Sequence, residues 1–312
     1  MEEIETPVIL DVENFSVESI WDFLERSGFI YPEKRKIIDF DAAKETLSKL
    51  ISEKSGVFKG LVVTRGSSIY AHISAVRIYD RVWMVQHMAS LPYKKEKVSH
   101  AQMLNLSLLE YFEQSSNVEW IRATYRHENK RVSRLYESLA DQVSCKELSI
   151  IQFMNCMKSD KVYDLVMNGL EVKPLPNTFG GDYKRECFNL ISPEYEKIGL
   201  ERRQRFLGVY RAGELVGYSV LEISSLGLNL SELTNAFRIF MLDNDPDAQS
   251  ILIRSSSNYY KTLGYQNVIA LVDDDVVDSF EALGFERFKR YTFWTWHKSL
   301  CRQFHNFIGN WK

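Results

Sequence analysis

Two distant stretches of this chain repeat one plan, and that repeat constrains the fold more than any other feature. In the later stretch, Gly264 to Trp296, the continuous apolar run Val268 to Val272 follows Gly264-Tyr265. A short run rich in β-branched residues and bounded by polar ones suits a strand buried on both faces. Asp273, Asp274 and Asp275 come next, placed to cap the free N–H groups of a following helix and to complement its dipole. That helix, Val276 to Leu283, sets Val277, Phe280 and Leu283 on one side and is stopped by Gly284. Phe285, Phe288, Tyr291, Phe293 and Trp294 then predict a hairpin of aromatic strands. The earlier stretch, Trp120 to Ala140, gives a strand, a polar break at His127-Glu128-Asn129, and a helix carrying Arg134 to Leu139. Asn129 to Tyr136 is a step of seven residues, and Asp273 to Phe280 is the same step. Such a repeat of whole units predicts two copies of one architecture.

Strand, polar cap, one short helix, Leu283-Gly284-Phe285 and a further strand resemble the C-terminal half of the GNAT acyltransferase fold. The resemblance implies an α/β (α+β) chain of two tandem, partly degenerate GNAT-like domains. Each would be a mixed, largely antiparallel sheet flanked by helices. The halves divide into residues 1–160 and residues 161–312, the second ending in an amphipathic helix. At 312 residues the chain has room for two domains of about 150 residues each.

The rest of the chain reads onto that plan. Val8 to Phe15 is an opening strand or extended arm, and Ser16 to Ser27 and Asp39 to Glu53 are helices by their apolar spacing. Gly60 to Thr64, Ser68 to Arg77 and Arg81 to Ala89 are strands joined by hairpin-length turns, and Met103 to Phe112 is a helix. Between Asp141 and Pro193 the signal weakens. Lys173 to Asn177 and Phe179-Gly180-Gly181 read as loop, with the domain boundary near them. Arg205 to Tyr210 and Leu215 to Ile223 form a hairpin, Ala236 to Leu242 a strand and Asp247 to Leu263 a long helix. From His297 on, Leu300, Phe304, Phe307, Ile308 and Trp311 recur at helical spacing, a strap over the chain's own sheet.

Composition excludes several classes. A formal net charge of -3 argues against nucleic-acid binding by bulk charge. No apolar run approaches the roughly 20 residues that span a bilayer, and the acidic N-terminus lacks a signal-peptide pattern. Four widely spaced cysteines without a C-x-x-C pair indicate neither a zinc site nor a disulfide framework, so a reducing, cytoplasmic setting is expected and no metal.

The GNAT resemblance implies acetyl-CoA or another acyl-CoA as co-substrate and a small-molecule or peptide amine as acceptor. Family members with full signatures hold the pyrophosphate on a glycine-rich loop before a helix, because backbone must approach phosphate closely. Neither half has that loop: the first reads Ser90 to His100 there, and the second reads the acidic Asp243 to Ser250. In the first, Lys94, Lys95 and Lys97 are placed to attract phosphates, with Asn129 at the cap of the later helix. The family's helix tyrosine, which protonates the leaving thiolate, corresponds to Tyr136 in the first half. In the second half its place is taken by Phe280, which has no proton to give. For a base the strand histidines His87 and His72 are candidates, with Glu222 behind them. Arg202 to Arg205 with Glu222 to Gly227 also resemble the PilZ nucleotide-binding signature, but the arginine spacing is off and Glu222 stands where Asp or Asn belongs. The two functional expectations are an acyl-CoA-dependent N-acyltransferase, with its site in the first half, and a non-catalytic ligand-binding or regulatory module, with a protein partner, on a decayed acyltransferase scaffold.

Overall fold

Twelve strands pair into one mixed sheet in the order β1-β2-β3-β4-β5-β12-β6-β11-β10-β9-β8-β7. The computed structural model describes residues 6–35, 39–52, 56–92, 99–176, 192–230, 233 and 235–310. The first half runs β1 (Val8–Asp11), α1 (Val17–Arg26), α2 (Pro32–Arg35), α3 (Phe40–Ser52), β2 (Phe58–Arg65), β3 (Ser68–Tyr79), β4 (Val82–Ser90), α4 (His100–Gln114), β5 (Trp120–Arg126), α5 (Lys130–Ala140) and β6 (Ser149–Ser159). The second runs β7 (Leu170–Leu175), α6 (Ser192–Glu196), β8 (Arg202–Arg211), β9 (Glu214–Ser224), β10 (Ala236–Met241), α7 (Pro246–Thr262), β11 (Val268–Val272), α8 (Val277–Ala282), β12 (Glu286–His297) and α9 (Cys301–Asn310).

The repeat predicted from sequence is present in the pairing. β1 to β4 are antiparallel neighbours and β4 pairs β5 in parallel. β7 to β10 are antiparallel neighbours and β10 pairs β11 in parallel. At the centre the halves exchange strands. β12 lies between β5 and β6, and β6 lies between β12 and β11. Each half is therefore closed by the last strand of the other, and the sheet runs unbroken across the chain.

Three local expectations are corrected. The aromatic segment after Phe285 is one strand, β12, with a register shift between Arg287 and Lys289, because nothing in it supplies turn chemistry. Asp273 makes no side-chain cap, and Asp274 instead accepts from Asn155 Nδ2 and pairs with Arg290, both at 2.7 Å. Pro174, read as loop, lies in β7, where the sheet ends and a missing N–H costs least.

The helices split by face. Leu104, Leu108 and Phe112 of α4, Leu139 of α5 and Phe304 of α9 share one core with Ile121, Ala123, Trp294 and Trp296 of the sheet. α1 and α3 pack on the other face, where Ile20, Phe23, Ala43 and Leu47 meet Val62 of β2 and, from the second half, Leu230. Further contacts tie the halves there: Thr46 Oγ1 donates to the Leu226 carbonyl at 2.6 Å and Tyr195 OH to the Arg77 carbonyl at 2.7 Å. Buried Arg202 pairs with Glu222 at 2.6 Å, and Tyr79 OH donates to the same carboxylate. The residues of the PilZ-like motif are thus part of the seam between halves.

Candidate active site

β4 and β5 run paired from Val82↔Trp120 to Val85↔Ala123 and then separate. A bulge causes the parting. β4 matches Gln86 with Ser74 and then Ala89 with His72, so the chain carries extra length at His87, whose φ is +54°. The opening is a cleft of about 520 Å³ that pierces the sheet, with Tyr136 and Val132 at one end and Phe29 and Leu230 at the other. A second cleft of about 370 Å³ adjoins it beside the start of α4, sharing Met88, Asn129 and Val132 and reaching Gln102 and Asn105.

Tyr136 is buried and lines the first cleft, its ring stacked on Tyr125 at 5.2 Å and edge-on to Trp294 at 5.8 Å. Burial, reinforced by Tyr125, pushes its pKa up, so the phenol is held protonated. Asn129 caps α5, accepting from Val132 N at 3.4 Å, and stands where the clefts join. Lys94, Lys95 and Lys97 lie outside the described residues.

His87 has both its position and its lone pair fixed. Leu230 N–H donates to its Nε2 at 3.0 Å, which leaves the ring proton on Nδ1, and its carbonyl accepts from His72 Nδ1 at 2.9 Å. Burial first, then His72 and Lys34, hold its pKa well below the ordinary value. His72 is fully buried behind it, lowered by burial to about 4. Glu222 is spent on Arg202.

Residues that sequence reading missed also line the cleft. Tyr31 and Lys34 come from the segment around α2, Arg126 from the end of β5, Tyr291 from β12, and Asn229 and Leu230 from the β9–β10 loop. Arg126 stands just before the polar break His127-Glu128-Asn129 and Glu128 lies within it, and β5 alternation could have marked Arg126. The others come from sites far apart in sequence and carry no local signal.

In the second half β10 and β11 pair only at Ala236↔Ile269 and Phe237↔Ala270 and then part in the same way. Here the cavity lined by Ala236, Arg238 and Leu271 measures only about 50 Å³. Phe280 is fully buried, with its ring 5.9 Å from Phe237 and 5.1 Å from Phe285. Ser279 Oγ donates to Gln249 Oε1 at 2.8 Å, tying α8 to the first turn of α7. At the start of α7, Asp245 accepts from Ala248 N at 3.0 Å and takes both arms of Arg211 at 2.7 and 3.0 Å. A carboxylate stands where the first half would need to attract phosphate.

The fold of this chain has counterparts among solved structures. A tandem GNAT protein from the clavulanic acid biosynthesis pathway matches with a TM-score of 0.51 at 12% identity, over 94% of this chain and 99% of that one. The chain has the tandem GNAT fold. A GCN5-related N-acetyltransferase from Sphaerobacter thermophilus also matches, with a TM-score of 0.51 at 12% identity, over 94% of this chain and 96% of that one. No protein-family model and no curated protein sequence matches. At such identities the likeness of this chain to its neighbours is one of fold. Among the described residues no helix is long and apolar enough to cross a membrane.

Proposed function

We propose that the first half is an acyl-CoA-dependent N-acyltransferase site and that the second is its non-catalytic scaffold, the chain dividing after β6 at residues 160–161. One observation carries this reading: Tyr136 lines a cleft of about 520 Å³, whereas Phe280, its counterpart, is fully buried among Phe237 and Phe285. The residues around α4 suit acyl-CoA. The helix starts at a capping box of Ser99 and Gln102, and buried Arg65 lies against its first residue, Nε 3.3 Å from His100 Nε2. A helix N-terminus backed by a guanidinium favours a pyrophosphate, and Lys94, Lys95 and Lys97 precede that helix in the chain. Asn105, Asn129 and Val132 line the way from there to Tyr136.

Bound acyl-CoA supplies a thioester whose carbonyl carbon a neutral amine attacks, so that a C–N bond forms and the C–S bond breaks. Tyr136, kept protonated by burial, donates its proton to the departing sulfur. Glu128, on the cleft wall, accepts the proton that the amine sheds. His87 works as a positioning residue: it holds the bulge open and anchors Leu230 of the second half as the acceptor-side wall. A cytoplasmic location accords with the cysteine pattern.

The second reading, a non-catalytic binding module, is favoured by the missing glycine-rich loop in both halves. Calorimetry with acetyl-CoA and longer acyl-CoAs, followed by thiol release in the presence of amines, separates the two. Transfer predicts binding and amine-dependent thiol release. No binding at millimolar acyl-CoA removes the enzyme reading, and binding without release under any amine supports the module.

A further inference from the structure

The acceptor side of the cleft carries a pattern of charge that acyl transfer alone does not require. Along β5, Ile121, Ala123 and Tyr125 point into the core under α4 and α5, so Arg126 emerges on the opposite face. It enters the cleft from the side of α1 and α2. Its Nη2 donates to the Tyr31 hydroxyl, and Tyr291, its register partner on β12, is a second phenol partner. Arg126 is half-buried, and among the described residues no carboxylate pairs with it. Lys34, only 8% exposed, brings a second cation to the same wall, with Nζ donating to the Phe29 carbonyl at 3.3 Å and lying 3.6 Å over the Phe29 ring. Glu128 supplies a negative charge to the lining, and His87 is neutral there.

A guanidinium drawn part-way out of water is costly unless an opposite charge meets it. Two phenol oxygens satisfy part of its five-donor fork, and what remains matches a planar carboxylate held by two parallel bonds. A cleft of about 520 Å³ fits a small molecule. We infer that the acceptor bears a carboxylate as well as its reactive amine, in the manner of an amino acid. Arg126 and Lys34 hold the carboxylate, Glu128 faces the amine, and the rings of Phe29 and Tyr31 flank the part between. This rests on the acyl-transfer reading of the same cleft, whose product would then be an N-acyl amino acid.

The test is calorimetry on the full chain, without acyl-CoA, using N-acetylphenylalanine, N-acetylleucine and N-acetylglutamate against their carboxamides. The expected result is acid binding about tenfold or more tighter than amide, the scale of a charge-assisted pair. Arg126→Gln should erase that preference, and Arg126→Lys, which keeps the charge but not the fork, should retain part of it. Because the acid-to-amide ratio is read in the unaltered protein, it does not depend on how the variants fold. Equal affinity for acid and amide across the panel, including no binding of either, overturns the inference. So does tighter binding of phosphoethanolamine than of the carboxylates, which would assign the cations to a phosphate. Acetyl-CoA binding is measured separately. Loss of acid preference with acetyl-CoA binding intact sinks this inference alone, and absent acetyl-CoA binding with the preference intact sinks the transfer reading alone.

Discussion

The backbone N–H of Leu230 donates to Nε2 of His87 at 3.0 Å, and this bond joins the second half of the chain to the bulge that opens the first. Gln86 Nε2, one residue earlier, donates to the Leu228 carbonyl at 3.0 Å, so consecutive side chains of β4 hold the β9–β10 loop at two points. The cleft therefore exists only with both halves in place.

His87→Ala should be costly for two reasons. It leaves a buried N–H at Leu230 without an acceptor, worth about 1–3 kcal/mol. It also keeps a positive φ of +54° at a residue that gains nothing from it. His87→Asn, which tolerates that backbone better and retains an acceptor, should lose less. Urea unfolding of the two variants checks this, and equal losses would refute the role given to the imidazole.

Buried neutral histidines make stability depend on pH. His72 titrates near 4 in the folded chain because it is buried, against an ordinary value of 6.5. Between those values the unfolded chain binds a proton that the folded chain refuses, so stability is full above about pH 6.5 and falls as pH drops toward 4. The loss from His72 alone approaches about 3 kcal/mol, at about 1.4 kcal/mol per pH unit. His72→Asn keeps a donor for the His87 carbonyl and removes the titration. Its stability should fall less steeply between pH 6.5 and 4.5, and an unchanged slope would exonerate His72.

Tyr136 and Phe280, equivalent in the repeat, should respond oppositely to exchange. Tyr136→Phe removes the proton donor but keeps the ring that stacks on Tyr125, so turnover should fall about tenfold or more with little change in melting temperature. Phe280→Tyr puts a hydroxyl into a fully buried aromatic cluster, which should cost about 1–3 kcal/mol and leave the chemistry alone. If turnover is the same in Tyr136→Phe as in the parent, Tyr136 leaves the mechanism.

What the sequence made legible was local. The hairpin Arg205 to Ile223 and the stop at Gly284 rest on neighbours a few residues apart and are present, whereas of the two caps set seven residues before a helix aromatic only Asn129 makes its cap bond and Asp273 does not. The exchange of β6 and β12 was not legible, because the sequence of a strand carries no mark of which partner it chooses across the chain. The cleft was half legible. Tyr136 stands in a motif, but Arg126, Tyr31 and Tyr291 meet only through the folded sheet. Nor could the letters show that His87 spends its lone pair on Leu230, since that bond spans 143 residues.

Gly227 tests the dependence of the site on the seam most sharply. It lies in the β9–β10 loop with φ +82°, and a Cβ there would run into the backbone and side chain of Ala43 in α3. Neighbouring Leu226 accepts the Thr46 hydroxyl, so loop and helix cannot draw apart without losing that bond as well. Gly227→Ala combines an unfavourable backbone, about 1–2 kcal/mol, with an overlap that must be relieved by moving the loop. The loop is also the wall that Leu230 presents to His87. The variant should therefore lose about 2 kcal/mol or more in urea unfolding and weaken acceptor binding, while acyl-CoA, held on the far side of the sheet by α4, binds as before. A Gly227→Ala protein with parental stability would show that the two halves are not pressed together at this point.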